Sequence, residues 1–319
     1  MRMIEVISSF AKVIRKFVPK KGLRNFQHKI LFQPEIEKRG LSDPTSPPLF
    51  KVIFFELRTK CNGSCGFCPA NIYSDIRDDI TMPFDLFEKA IDQLDELNFN
   101  GRIAFFNNSD PLIVPEIDKY IRIATSKLGE DNTYHICTNG LSMTQRKGEA
   151  MLEAGANRFS INVYNDNLKA PIPKKILMFR EMVEKFNVGR SKPVQLAIKK
   201  RQLNAILNNK TGDAPNKHEP VSMDYRGFCL QPFTRFCIDP DGIVSLCCMD
   251  AFISKKMGDI KKDKLIDIWE GETFKFFRRH LLDGDRANLP ICNNCDYFGV
   301  EGFGSRGVLK EKVLQVLTR

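Results

Sequence analysis

The chain has 319 residues, with 49 Lys and Arg against 39 Asp and Glu, ten Cys and one Trp. That length supports a full hydrophobic core without disulfide staples, and 42% hydrophobic residues is too apolar for a chain that stays disordered. No apolar run approaches the ~18–20 residues of a membrane-spanning helix. Ten cysteines without a recognisable secretory signal point to metal or redox chemistry rather than to five bridges.

The formal charge of +10 is concentrated at the start. Arg2, Lys12, Arg15, Lys16, Lys20, Lys21, Arg24 and Lys29 are opposed within residues 1–30 only by Glu5. The basic balance therefore describes an arm, and no nucleic-acid partner is expected of the body. Ile7, Phe10, Ala11, Ile14, Phe17 and Val18 recur at helical spacing, and Pro19 marks an end. Lys12, Arg15 and Lys16 interrupt the apolar stretch that a signal peptide needs. Such a helix would lie on an anionic membrane surface or grip an acidic partner; the plainer alternative packs it on the body with its basic face in water. The expected location is cytoplasmic, with the arm as a peripheral membrane contact. Residues 1–48 are read as arm and linker, the linker being the Pro- and Ser-containing 40–48.

From residue 49 strands and helices alternate. The pattern predicts strands at 51–57, 102–106, 133–138, 158–163 and 194–199, with helices at 83–97, 115–128, 143–154 and 174–186 between them. Alternating β and α units imply a parallel sheet with right-handed crossovers, whose chemistry collects at the C-terminal strand ends. Beyond Arg201 the alternation stops. A loop is expected at 208–227, then a hairpin of 233–238 and 243–246 turning at Asp239-Pro240-Asp241-Gly242, then a helix at 265–282. The expected organisation is an α/β body at 49–228 and a small C-terminal unit at 229–319.

Cys61, Cys65 and Cys68 form a C-x3-C-x2-C loop directly after the first strand. A [4Fe–4S] cluster normally takes four cysteines, so three leave one iron open to another ligand. Zinc would need a fourth ligand close by, and none follows. This loop resembles the signature of the radical S-adenosylmethionine (radical SAM) superfamily. The resemblance implies a partial (β/α)6 barrel and an open iron that chelates S-adenosylmethionine (AdoMet). An electron, expected from a flavodoxin- or ferredoxin-type donor, then releases a 5′-deoxyadenosyl radical that abstracts a substrate hydrogen. It also places Phe67 by the adenine. Asn108, Ser109, Asp110 and Pro111 replace the family's GGEP-like segment, with Asp110 as acceptor for the AdoMet amino group. Asn139 falls in a TNG segment and Asn162 on the fourth strand, while Lys199 and Arg201 would reach the AdoMet carboxylate. Each of these positions alone reads equally well as a turn or surface residue; their order behind the cysteine loop makes the set specific.

Cys229, Cys247, Cys292 and Cys295 form a second set that would hold zinc or another iron–sulfur cluster. It resembles the SPASM/twitch extension in its shorter form, which carries one auxiliary [4Fe–4S] cluster. Cys137 is read as a small core residue. Cys237 and Cys248 lie on the hairpin. The resemblance extends to radical epimerases, where a thiol returns a hydrogen atom to the substrate, and to cyclitol dehydrogenases. The first expectation is epimerisation of a sugar or polyol, with Cys248 and then Cys237 as donor and Tyr164 and Asp166 among the acid/base groups. Dehydrogenation to a ketone, radical modification of a ribosomal peptide, and a non-catalytic metal-binding interaction protein are the alternatives.

Overall fold

A computed structural model describes residues 33–44, 46–217 and 228–297. The amphipathic helix expected at the start of the arm lies outside the described residues. The sheet contains β1 (Val52–Phe55), β2 (Arg102–Ala104), β3 (Thr133–Thr138), β4 (Arg158–Tyr164), β5 (Gln195–Arg201), β6 (Arg235–Ile238), β7 (Ile243–Ser245) and β8 (Lys256–Asp259). Their spatial order is β5-β4-β3-β2-β1-β6-β7-β8. The first six are parallel, and β7 and β8 are added antiparallel. The first strand of the expected hairpin is thus also the sixth parallel strand, and the sheet runs on across residue 228.

The helices are α1 (Gln33–Lys38), α2 (Phe84–Glu96), α3 (Ile117–Leu128), α4 (Gln145–Glu153), α5 (Lys174–Phe186), α6 (Gln231–Thr234), α7 (Leu265–Trp269) and α8 (Glu272–Leu282). The single helix expected at 265–282 is divided. A Cβ on Gly271 would meet the carbonyl oxygens of Asp267 and Ile268 at 2.9 and 3.1 Å, so glycine lets the chain turn tightly between α7 and α8. The described part of the expected linker is packed on the body. Ile36 and Leu41 are buried in the core, and Trp269 donates its indole N–H to the carbonyl of Pro48 at 3.2 Å.

Strand pleating sorts the two faces. Ile53, Phe55, Ile103, Tyr134, Ile136, Phe159 and Ile161 point outward into the core with Phe87, Ile91 and Leu94 of α2 and Phe179 of α5. Complete burial of such side chains stabilises by about 1.5–3 kcal/mol each. The opposite face surrounds a cavity of about 270 Å³ lined by Phe54, Phe106, His135, Cys137, Ser160 and Asn162 among others. Cys137 therefore faces the cavity and is not a core residue: it shares parity with His135, while Tyr134 and Ile136 occupy the apolar side.

Candidate active site

The three-cysteine loop leaves the C-terminal end of β1 and is held by charge and backbone contacts. Arg77 donates to Glu56 Oε1 at 2.9 Å, to the carbonyl of Thr59 at 2.6 Å and to both oxygens of Asp75. Asn71 Nδ2 donates to the carbonyls of Cys65 and Cys68, and the Gly66 N–H to that of Leu203. Cys61 and Cys65 converge on Gly63, where an added Cβ would lie 3.5 and 3.9 Å from their sulfurs and 3.3 Å from Asn139 Nδ2. Burial pushes the Cys61 thiol up to about 11 and that of Cys65 up to about 12, and it raises Cys68 against the pull of Lys210. Binding to a cation reverses this and deprotonates the sulfur.

The other strand ends gather around this loop. Phe67 and Tyr164 approach to 5.7 Å between ring centroids. Burial, and then Cys65, raise the Tyr164 phenol, so it stays protonated. Asp110 is buried, and its carboxylate accepts from the backbone N–H of Leu112 at 2.9 Å, the backbone N–H of Asn139 at 2.6 Å and the Thr138 hydroxyl at 2.8 Å. It braces the segment after β2 against the end of β3. Beside it, Asn107 Oδ1 is buried without a hydrogen-bond partner among the described residues, an acceptor suited to an ammonium group. Asn139 Nδ2 donates to Asn62 Oδ1 at 2.8 Å. Arg201 Nε donates to Asn162 Oδ1 at 2.9 Å, and Asn162 Nδ2 to the Cys137 sulfur at 3.4 Å. Lys199 lines the same cavity. Asp166 stands apart on the exposed rim, accepting from the backbone and side chain of Asn204.

Cys229, Cys247, Cys292 and Cys295 are all buried. Burial, then Arg286 acting against it, set the Cys292 thiol at about 12, and Cys229 is raised in the same way. Arg286 is 1% exposed and lies close enough to all four sulfurs to feel their charge; its Nη1 donates to the carbonyl of Tyr297 at 2.9 Å, while its buried Nε has no partner among the described residues. A buried guanidinium with a spare N–H amid four thiols suits an anionic iron–sulfur group. Among the described residues no three Cys, His, Asp or Glu side chains are gathered as tightly as one metal ion requires. Residues 209 and 210 tie the two regions together: Asn209 and Asp296 exchange hydrogen bonds, and Lys210 Nζ reaches Asn108 Oδ1 at 3.3 Å and the Cys248 carbonyl at 3.2 Å.

Cys237 and Cys248 pack with Val52, Phe54 and Ala104, and neither is a cavity-lining residue. Glu56, Lys210, Arg235 and Arg286 escaped the sequence reading. Of these only Arg235 had a usable signal, the inward parity it shares with Cys237.

This is the architecture of an enzyme that holds one inorganic centre on a partial-barrel rim and another beside the last parallel strand. The Radical SAM superfamily matches residues 56–182, and an iron–sulfur cluster-binding domain, SPASM, matches residues 229–296. An S-adenosyl-L-methionine-dependent 2-deoxy-scyllo-inosamine dehydrogenase from Niallia circulans is 26% identical over 253 residues, covering 79% of this chain and 95% of that protein. The crystal structure of BtrN in complex with AdoMet and 2-DOIA is similar with a TM-score of 0.64 at 23% identity, over 79% of this chain and 94% of that one. That of anSMEcpe with bound AdoMet is similar with a TM-score of 0.51 at 11% identity, over 84% and 98%. The chain belongs to the radical SAM superfamily and carries a SPASM-type auxiliary domain. It is an enzyme, and its cofactors are AdoMet, a [4Fe–4S] cluster and auxiliary iron–sulfur.

Proposed function

We propose that the chain dehydrogenates a secondary alcohol of a sugar or cyclitol to a ketone. The observation that carries this reading is the likeness, over 79% of this chain and 95% of the relative, to the dehydrogenase of 2-deoxy-scyllo-inosamine. It favours dehydrogenation, the first alternative, over the epimerisation expected first from sequence. A supporting observation is that Cys248 and Cys237, the two thiols expected to return a hydrogen atom, pack with Val52, Phe54 and Ala104 and are not themselves among the residues lining the cavity.

AdoMet with the radical cluster supplies, when bound, the oxidant that takes a hydrogen atom from carbon, and the auxiliary cluster supplies an acceptor for the second electron. In this reading Cys61, Cys65 and Cys68 hold the first cluster and Cys229, Cys247, Cys292 and Cys295 the second. Phe67 covers the adenine, Asn107 accepts from the AdoMet amino group within the segment braced by Asp110, and Lys199 and Arg201 bind the AdoMet carboxylate. Tyr164, kept protonated, donates to a substrate oxygen. A flavodoxin- or ferredoxin-type protein reduces the first cluster, and residues 1–30 meet a membrane surface or an acidic partner. Among the described residues no helix is long and apolar enough to cross a membrane.

Turnover in heavy water tests the reaction. A ketone lighter than its substrate by two hydrogens supports dehydrogenation. An epimer carrying solvent deuterium at the inverted carbon overturns it.

A further inference from the structure

Lys210 stands where the two cysteine sites meet. Its ammonium donates to Asn108 Oδ1 at 3.3 Å, in the segment after β2, and to the carbonyl of Cys248 at 3.2 Å, next to the auxiliary-site Cys247. Both acceptors are neutral oxygens, and among the described residues no carboxylate forms an ion pair with Lys210. Glu56, the carboxyl beside Asn108, is held by Arg77 at 2.9 Å. The groups near Lys210 that would turn anionic are thiols. Burial raises those of Cys68 and Cys237; Lys210 pulls against it at both, and at Cys68 more than any other group. Arg77 acts on Cys68 as well, but its charge is matched by Glu56 and Asp75.

The backbone is bent to put the ammonium there. Lys210 and Thr211 have φ of 46° and 62°, two successive non-glycine residues in the left-handed region, and Gly212 follows at 115°. Such conformations persist only where surrounding contacts impose them, and they collect at functional sites. The contacts here come from Asn209, which exchanges hydrogen bonds with Asp296 and donates to the carbonyl of Asn294, on the loop of Cys292 and Cys295. A lysine that merely coated the surface would need neither the bend nor these anchors. The auxiliary site has a cation of its own in the buried Arg286, which feels all four of its thiols. Lys210 holds the corresponding place for the three-cysteine loop.

We propose that Lys210 tunes the first cluster: its ammonium offsets the negative charge of the three-cysteine site and so eases the one-electron reduction that precedes AdoMet cleavage. A fixed cation beside a cluster attracts the added electron and raises the reduction potential. The step is electron transfer alone. One electron leaves the external flavodoxin- or ferredoxin-type donor, which is oxidised, and enters the first cluster, which is reduced. No proton moves, and no bond to Lys210 forms or breaks. The inference goes beyond the dehydrogenase reading and does not depend on it, since this reduction comes before any change in the substrate.

The test is an EPR-monitored redox titration of the reconstituted full chain without substrate, the first cluster's signal being identified by its response to added AdoMet. In Lys210→Met the ratio of reduced to oxidised first cluster at a fixed potential should fall about tenfold, a downward midpoint shift of about 59 mV for one electron. The auxiliary midpoint should move by less than half as much. Lys210→Arg, which keeps the charge, should recover most of the shift. A first-cluster ratio in Lys210→Met within about twofold of wild type, equal movement of both midpoints, or an arginine variant that falls as far as methionine overturns the proposal. If Lys210→Met takes up no iron at the first site, Lys210→Gln, still able to donate to Asn108 and Cys248, is titrated in its place. Loss of the first cluster in both neutral variants but not in Lys210→Arg supports the role of the charge. Loss in all three overturns it and leaves Lys210 to the turn alone.

Discussion

Arg235 directs Nη1 at the sulfur of Cys248 across 3.6 Å, and the same thiol lies 3.5 Å from Oε1 of Gln231. The Cys248 carbonyl meanwhile receives Lys210. Cys248 is thus pinned between α6, β6 and the segment after β5, as a buried polar contact behind Phe54. Replacing it should disturb packing more than chemistry. Cys248→Ala is expected to cost about 1–2 kcal/mol in thermal or denaturant unfolding and to retain both 5′-deoxyadenosine release and ketone formation within about threefold. Loss of product with AdoMet cleavage intact would instead restore Cys248 as a reacting thiol.

Gly63 offers a sharper probe of the radical cluster. An alanine there would press on Asn139 at 3.3 Å and occupy the space between the Cys61 and Cys65 sulfurs. The neighbours would have to give by a few tenths of an ångström. Gly63→Ala should therefore lower the iron bound after anaerobic reconstitution by up to about four atoms per chain, with auxiliary iron retained. Full iron content and normal AdoMet cleavage would show that the cysteine loop rearranges freely.

Glu56 links stability to pH. Burial raises its carboxyl to about 7 from an ordinary 4.5, against the pull of Arg77. Asp239, raised by burial to about 6 from 3.8, acts in the same direction. The folded chain binds more protons than the unfolded chain between about pH 4 and 7. The stabilisation from these groups is complete at the acid end of that window, fades as pH rises through it and is flat above. Glu56→Gln should remove its share, so the cofactor-free variant loses about 1–3 kcal/mol less than wild type between about pH 5 and 7.5. Parallel urea-midpoint curves for the two proteins would show that Glu56 titrates normally.

The parts of this molecule legible in sequence are those written in periodicity or spacing. The strand at 133–138 and the helix at 174–186 have the same bounds in the structure, because alternation of Tyr134 and Ile136 with more polar neighbours and an apolar stripe of Ile176, Phe179 and Val183 leave little choice of register. β8 was invisible, since Lys256-Met257-Gly258-Asp259 has neither alternation nor β-branched residues; its pairing with β7 and Ile268 packed over Gly258 define it. The cysteine sets were readable from spacing. Cys137 was misassigned although its own strand carried the answer, with Tyr134 and Ile136 on one face and His135 and Cys137 on the other. Glu56, Lys210 and Arg286 had no such signal. Each is a charged residue made significant by partners far along the chain, as with Lys210, whose contacts are Asn108 and Cys248.

Arg286 is where that tertiary placement has its clearest consequence. A guanidinium 1% exposed is costly to bury, and its hydrogen bond to Tyr297 does not satisfy it, because Nε has no partner among the described residues. Four thiolates and an iron–sulfur core beside it would supply the missing acceptor and the compensating charge. Arg286→Met is thus expected to spare 5′-deoxyadenosine formation at the first cluster while lowering auxiliary iron by up to about four atoms per chain. In any auxiliary cluster that still forms, removal of the positive charge should move the midpoint potential downward in an EPR-monitored titration. Arg286→Lys, which keeps the charge but not the fork of donors, should fall between. Unchanged iron and potential in Arg286→Met would mean that the guanidinium serves the Tyr297 turn alone.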